Sequence, residues 1–109
     1  MRAKFSNNIA IGVADKDAAA NRFVTCFEAA ITRRAANWVE VSAPPYTLYF
    51  VEDGTKDIAF AAEVPETEVA EMLVELEFNG FPLDRNLTER TKETFVRDAD
   101  GILILVEGV

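Results

Sequence analysis

At 109 residues the chain has room for one small domain. Half of it is hydrophobic and 28% is charged, the balance of a folded protein rather than a disordered one. Nineteen acidic against eleven basic residues give a net charge of −8, which repels nucleic-acid phosphates and anionic membranes, and the absence of histidine excludes Ser–His–Asp and Cys–His catalysis and His-ligated metals. A single cysteine, Cys26, excludes an intrachain disulfide and a cysteine cluster.

The basic start of the chain is followed by an apolar stretch, 9–14, that Asp15 ends too early for a secretory segment. The run 102–106 is too short to span a bilayer. A cytoplasmic protein with a reduced thiol is expected. Ile9, Ile11 and Val13 alternate with Asn8, Ala10 and Gly12, which predicts a strand with one bulky and one small face. Asp15 or Asp17 can cap the helix predicted over 17–30, whose stripe is Ala19, Phe23, Cys26, Phe27 and Ala30. Cys26 reads as a buried, inert thiol on that stripe. Strands follow at 37–42 and 46–52, separated by Ala43-Pro44-Pro45.

After the polar turn 52–56 the pattern restarts. A strand over 57–61 precedes Pro65 and a helix with the stripe Val69, Met72, Leu73 and Leu76, which Asn79-Gly80 closes. Its glutamates, Glu66, Glu68, Glu71, Glu75 and Glu77, make a solvated face. A short strand at 81–87, a loop to Lys92, a strand at 93–97, the turn Asp98-Ala99-Asp100-Gly101 and a strand at 102–107 complete the chain. The chain is thus an internal repeat. Asn8-Ile9-Ala10-Ile11-Gly12 is echoed by Asp57-Ile58-Ala59-Phe60-Ala61, and 47–52 by 102–107, with the extra residues of the second half falling in 81–92. One domain built of two modules, about 1–54 and 55–109, is expected, since neither half buries a core alone.

Two βαβββ modules in this order resemble the vicinal oxygen chelate superfamily, which contains glyoxalase I, extradiol dioxygenases and bleomycin resistance proteins. The segment Phe95-Val96-Arg97-Asp98-Ala99-Asp100-Gly101-Ile102-Leu103-Ile104-Leu105 is similar to that superfamily's closing motif, a Phe-x-Asp-Pro-Asp-Gly-Asn turn leading into a strand that carries a glutamate. Asp57-Ile58-Ala59-Phe60 resembles its His-Ile-Ala-Phe start of the second module. The resemblance implies an α+β fold in which two βαβββ modules form a curved mixed sheet with helices outside. It also implies a homodimer. The ligand positions of the metal-binding members fall on Asn8, Phe50, Asp57 and Leu105, with Tyr49 replacing Phe50 if the match shifts by one. Only Asp57 is a good hard-metal ligand and Asn8 is a weak one, so neither metal nor cofactor is expected.

Alternation puts Asp57, Ala59 and Ala61 opposite Ile58 and Phe60, and Asn8, Ala10 and Gly12 opposite the bulky face of the first strand. Asp57 has two readings: a carboxylate in a cupped sheet, or a solvated residue after a polar turn. Glu107 shares the face of Leu103 and Leu105 and is either a cleft residue or a solvated terminal one, as is its repeat partner Glu52. Trp38, Tyr46, Tyr49 and Phe50 wall a pocket or fill a core and interface. Arg33-Arg34 is too small a basic pair for nucleic acid. The reading is metal-free binding, for sequestration or sensing, of a small apolar or cationic molecule at Asn8, Trp38, Tyr49, Phe50, Asp57, Leu105 and Glu107. The alternatives are a lyase, isomerase or dioxygenase of the same fold, with no catalytic residue to name, and a degenerate module that only dimerises.

Overall fold

Isoleucines on one face and small residues on the other make β1 (Lys4–Gly12) the first strand of the chain. The computed structural model describes residues 2–109. They fall into two units, one made of Asn7–Ile58 and the other of Ala59–Val109 with the residues up to Ser6.

In the unit Asn7–Ile58, β1 is followed by α1 (Lys16–Cys26), β2 (Ala30–Arg34), β3 (Trp38–Ala43) and β4 (Tyr46–Val51). The sheet order is β2-β3-β4-β1, with β1 parallel to β4 and the other pairs antiparallel. Asp15 caps α1: its Oδ1 accepts the N–H groups of Asp17 and Ala18 at 3.1 and 3.0 Å. Glu52 is a structural residue, its Oε2 accepting the Lys16 N–H at 2.8 Å at the same helix end. Ala43 pairs with Tyr46, so the two prolines are the whole β3–β4 loop.

Helix α1 stops four residues before the predicted end at Ala30. Ala30 and Ile31 pair with Ser42 and Val41 instead, a sheet contact that overrides local helical spacing. The apolar stripe runs through Ala19, Ala20 and Phe23 to Phe27, whose ring lies 5.5 Å from that of Phe23. Cys26 falls off this stripe and is exposed, not buried. Against Ala19, Ala20 and Phe23 pack Ile9, Ile11, Val39, Val41, Leu48 and Phe50, the core of this unit.

In the second unit, β5 (Ile58–Val64) leads through a single 3₁₀ turn to α2 (Val69–Phe78), then α3 (Arg85–Thr91), β6 (Phe95–Arg97) and β7 (Leu103–Gly108). The order is β5-β7-β6, with β5 parallel to β7 and β6 antiparallel to it. Leu83 bridges Val96, so one residue stands where a strand over 81–87 was expected. Each unit is therefore a strand–helix–strands module with a mixed sheet, an α+β fold. Met72 is buried among Ala62, Val64, Val96, Ile104 and Val106, with Val69, Leu73 and Leu76 packed on them, as the helical stripe predicts. Gly80 takes a φ of +98° just after α2, where only glycine is unstrained.

The segment expected to be a loop up to Lys92 is helical. Asp84 caps α3 by accepting the Leu87 N–H at 3.0 Å on Oδ1, and its Oδ2 accepts Arg97 Nε at 3.0 Å. These donors, the Leu87 N–H foremost, hold the Asp84 carboxyl below its ordinary range. Only Leu87 of this helix is buried, so no apolar period announced it. The extra residues of the second repeat thus fold as a capped helix between Leu83 and β6.

Ile58 and Phe60 share the face of Ala62 and Val64 but lie beyond the reach of α2. Ile58 and Phe60 are 59% and 49% exposed, whereas Ala59 and Ala61 are 1% exposed. Helix α2 covers Ala62 and Val64 further along the strand, and does not bury the first two bulky residues. No helix among the described residues is long and apolar enough to cross a membrane.

Candidate functional site

The face of the first sheet opposite α1 carries a cluster of polar and aromatic side chains. Strand register arranges it in rows. Gly12, Val51 and Trp38 form one row, Ala10, Tyr49, Glu40 and Arg33 the next, and Asn8, Thr47 and Ser42 the third. A bulge in β2 between Ile31 and Arg33 sets Thr32 and Arg33 against the single residue Glu40. Both side chains therefore reach one carboxylate. Thr32 Oγ1 donates to Glu40 Oε1 at 2.8 Å, and Arg33 donates through Nε to Oε1 at 3.1 Å and through Nη2 to Oε2 at 2.7 Å. Tyr49 Oη donates to Oε2 at 2.6 Å.

The rings complete the cluster. Trp38 and Tyr49 meet edge to face with centroids 5.7 Å apart, and the Arg33 guanidinium carbon lies 5.5 Å from the Trp38 ring centroid. The side chain of Glu40 is 12% exposed and that of Arg33 64%. The hydrogen bonds from Arg33, then Tyr49 and Thr32, push the Glu40 carboxyl down to about 2, so it stays anionic well into acid. Glu40 and then Tyr49 hold the Arg33 guanidinium above its ordinary range. Burial, reinforced by the bond to Glu40, pushes the Tyr49 hydroxyl up. The result is a sheltered carboxylate with two aromatic neighbours, chemistry suited to holding a cation rather than to transferring a proton at neutral pH.

Of the residues singled out in the sequence, Trp38 and Tyr49 come together here, and Ala10 pairs with Tyr49 beside them. Asn8 stands one row along the same face. Phe50 does not line this face: it is 1% exposed, with its ring 4.9 Å from that of Phe23 on α1. A shift of one residue along β4 exchanges the two faces, and Tyr49 takes the place given to Phe50. Asp57 lies just before β5, half-buried, and its carbonyl accepts the Gly12 N–H at 2.8 Å. Thr55 and Asp53 stand against Gly12, and Ala59 and Ala61 are buried, so these small residues leave no open space. In the second unit Leu105 and Glu107 are half-buried on β7, facing Ala61 and Glu63 across the parallel pair.

Arg33, Glu40 and Thr32 were not anticipated. Opposite charges flanking Trp38 across the short turn 35–37 were the available signal, hidden because 31–36 was assigned to no element between the helix predicted to 30 and the strand predicted from 37. The donor set does not suit a divalent metal. Phe50 is core, Leu105 has no donor, the Tyr49 hydroxyl is bound to Glu40, and among the described residues no three Asp, Glu or Cys side chains gather on one point.

No family model matches the chain, and no curated protein matches it in sequence. Solved structures do resemble it. A glyoxalase/bleomycin resistance protein/dioxygenase superfamily member from Vibrio splendidus 12B01 matches with a TM-score of 0.64 over 94% of this chain and 97% of its own, at 11% identity. Methylmalonyl-CoA epimerase from Mycobacterium tuberculosis matches with a TM-score of 0.59 over 94% of this chain and 85% of its own, at 18% identity. Together with the repeated strand–helix–strands modules, these likenesses show that the chain has the vicinal oxygen chelate fold, the fold of the glyoxalase/bleomycin resistance protein/dioxygenase superfamily.

Proposed function

We propose that the protein binds a small organic cation, without a metal, on the open face of its first sheet, and acts by sequestering or sensing that molecule. One observation carries the reading: the Trp38–Tyr49 pair stands beside the sheltered, firmly anionic Glu40. Aromatic faces and a carboxylate attract a cation together, and the acidic chain as a whole adds to the attraction. Ala10, beside Tyr49, and Asn8, one row further, belong to the same face. Benzamidine and benzyltrimethylammonium at millimolar concentration are expected to raise the Tm of the protein. The rise should vanish in Glu40→Gln and shrink in Trp38→Leu. Equal stabilisation of all three proteins would remove this face from the function. Elemental analysis of the purified protein is expected to give well under one equivalent of nickel, zinc, iron or manganese, and a full equivalent would turn attention to an enzyme.

We also propose that the chain is a homodimer. Phe5 and Phe60, with rings 6.2 Å apart, are 64% and 49% exposed in the second unit, and an apolar groove of about 400 Å³ that includes Phe5, Met72, Leu76 and Phe81 adjoins them. Exposed apolar surface of this kind is what a second copy covers. Light scattering at tens of micromolar is expected to give twice the chain mass, and Phe60→Lys to give the monomer. A monomeric wild type would contradict the proposal.

A further inference from the structure

The cluster around Glu40 is already occupied, and its occupant belongs to the chain. Arg33 receives every interaction that a free guanidinium would receive there. Its Nε and Nη2 form a two-pronged pair with the two oxygens of Glu40 at 3.1 and 2.7 Å, and its cationic carbon lies 5.5 Å from the Trp38 ring centroid. We infer that Arg33 is a built-in surrogate ligand, and that the face binds planar guanidinium or amidinium compounds that displace it from Glu40 and Trp38. The inference rests on the reading of this face as a cation site, and it names the class of cation and the step that admits it.

Two observations separate the receptor from its occupant. The carboxylate side is sheltered and held without help from Arg33. Thr32 Oγ1 fixes Oε1 at 2.8 Å and Tyr49 Oη fixes Oε2 at 2.6 Å, so both oxygens keep their direction when the guanidinium leaves. The occupant is peripheral: the Arg33 side chain is 64% exposed, against 12% for Glu40, and it stands on β2, at the end of the sheet order of its unit and next to a bulge. Moving it toward solvent breaks only its own bonds to Glu40 and its contact with Trp38 among the interactions of the cluster.

The planar fork decides the ligand class. A guanidinium or amidinium presents two parallel N–H groups to the two fixed oxygens and a flat face to Trp38, whereas an ammonium presents a point charge. An internal competitor lowers apparent affinity by the fraction of time the site is free. A site that Arg33 fills about nine-tenths of the time therefore binds about tenfold more weakly than an empty one.

The experiment is calorimetric titration of benzamidine into the full chain as wild type, Arg33→Ala, Glu40→Gln and the double variant. Benzylamine serves as the point-charge control and neutral benzamide as the uncharged one. Arg33→Ala is expected to bind benzamidine about tenfold more tightly than wild type, to prefer it to benzylamine, and to lose the gain when Glu40→Gln is added. Far-UV circular dichroism checks each fold, and Arg33→Gln replaces Arg33→Ala if the latter unfolds. If wild type binds benzamidine through Glu40 while the Arg33 variant binds equally or more weakly, the surrogate-ligand inference fails and the cation site stands. If no folded variant binds any of the cations at millimolar concentration, the cation site fails and the inference with it. Tighter binding of benzamide by the Arg33 variant, equal to the gain for benzamidine, would also overturn the inference, because it would mark a steric rather than a charge-specific vacancy.

Discussion

Phe50→Ala is expected to destabilise the protein by about 3–5 kcal/mol, the usual cost of deleting a fully buried aromatic ring. Phe50 is 1% exposed, sits in the core with Val39, Val41 and Leu48, and meets Phe23 of α1 at 4.9 Å. The loss combines the transfer of the ring's apolar surface with the cavity left between helix and sheet. Urea unfolding followed by circular dichroism measures it as a lower midpoint at nearly constant slope. The adjacent Tyr49→Phe supplies the contrast. It removes only the hydroxyl bond to the Glu40 carboxylate, worth about 1.5–3 kcal/mol as a bond to a charged group, because Tyr49 stands on the other face. If Tyr49→Phe proved the more damaging of the two, the assignment of faces on β4 would be wrong.

Gly12→Ala is expected to cost about 1–3 kcal/mol, a large penalty for one methyl group on a strand. A Cβ at position 12 would lie 2.8 Å from Asp53 Oδ1 and 2.9 Å from the carbonyl oxygen of Thr55, and in hard contact with Thr55 Oγ1. The turn cannot easily yield. Asp53 Oδ1 accepts both the Thr55 N–H at 2.9 Å and its hydroxyl at 2.8 Å, and the Gly12 N–H itself is bound to the Asp57 carbonyl at 2.8 Å. Hydrogen exchange should therefore accelerate at Gly12 and Thr55 more than elsewhere in the unit. Adding Thr55→Ala should restore only part of the loss, because the backbone carbonyl remains in the way. A Gly12→Ala protein as stable as wild type would show that the turn moves freely.

The two cases also mark how the candidate site was misjudged from sequence. Gly12 and Ala61 look like space because small residues on one face suggest an empty concavity. In the structure a turn fills the first and the second is 1% exposed. Phe50 looks like pocket wall because the two halves of the repeat align it with Leu105. A strand exposes neighbouring residues to opposite faces, so an uncertainty of one position in that alignment reverses the role. Trp38 and Tyr49 were legible only as members of an aromatic-rich stretch, because register decides which of its rings share a face. Their polar partners were not. Glu40 and Arg33 become neighbours only through β2 and its bulge, and β2 shows no clean alternation in Ala30-Ile31-Thr32-Arg33-Arg34.

Local chemistry in the sequence determined the repeat, the order of most strands, the stripe of α2 and the stops at Pro44-Pro45 and Asn79-Gly80. Each of these depends on periodicity or turn preference within a few residues. The tertiary structure alone decided where α1 ends, that the inserted segment before β6 is a helix, which face Phe50 occupies and which side chains surround Glu40. Ala30 leaves the helix because Ser42 pairs with it, and α3 forms around a single buried leucine because Asp84 caps it and Arg97 holds that cap. These outcomes depend on partners brought together by strand pairing and packing, and a contact between residues distant in the chain leaves no period in the sequence to read.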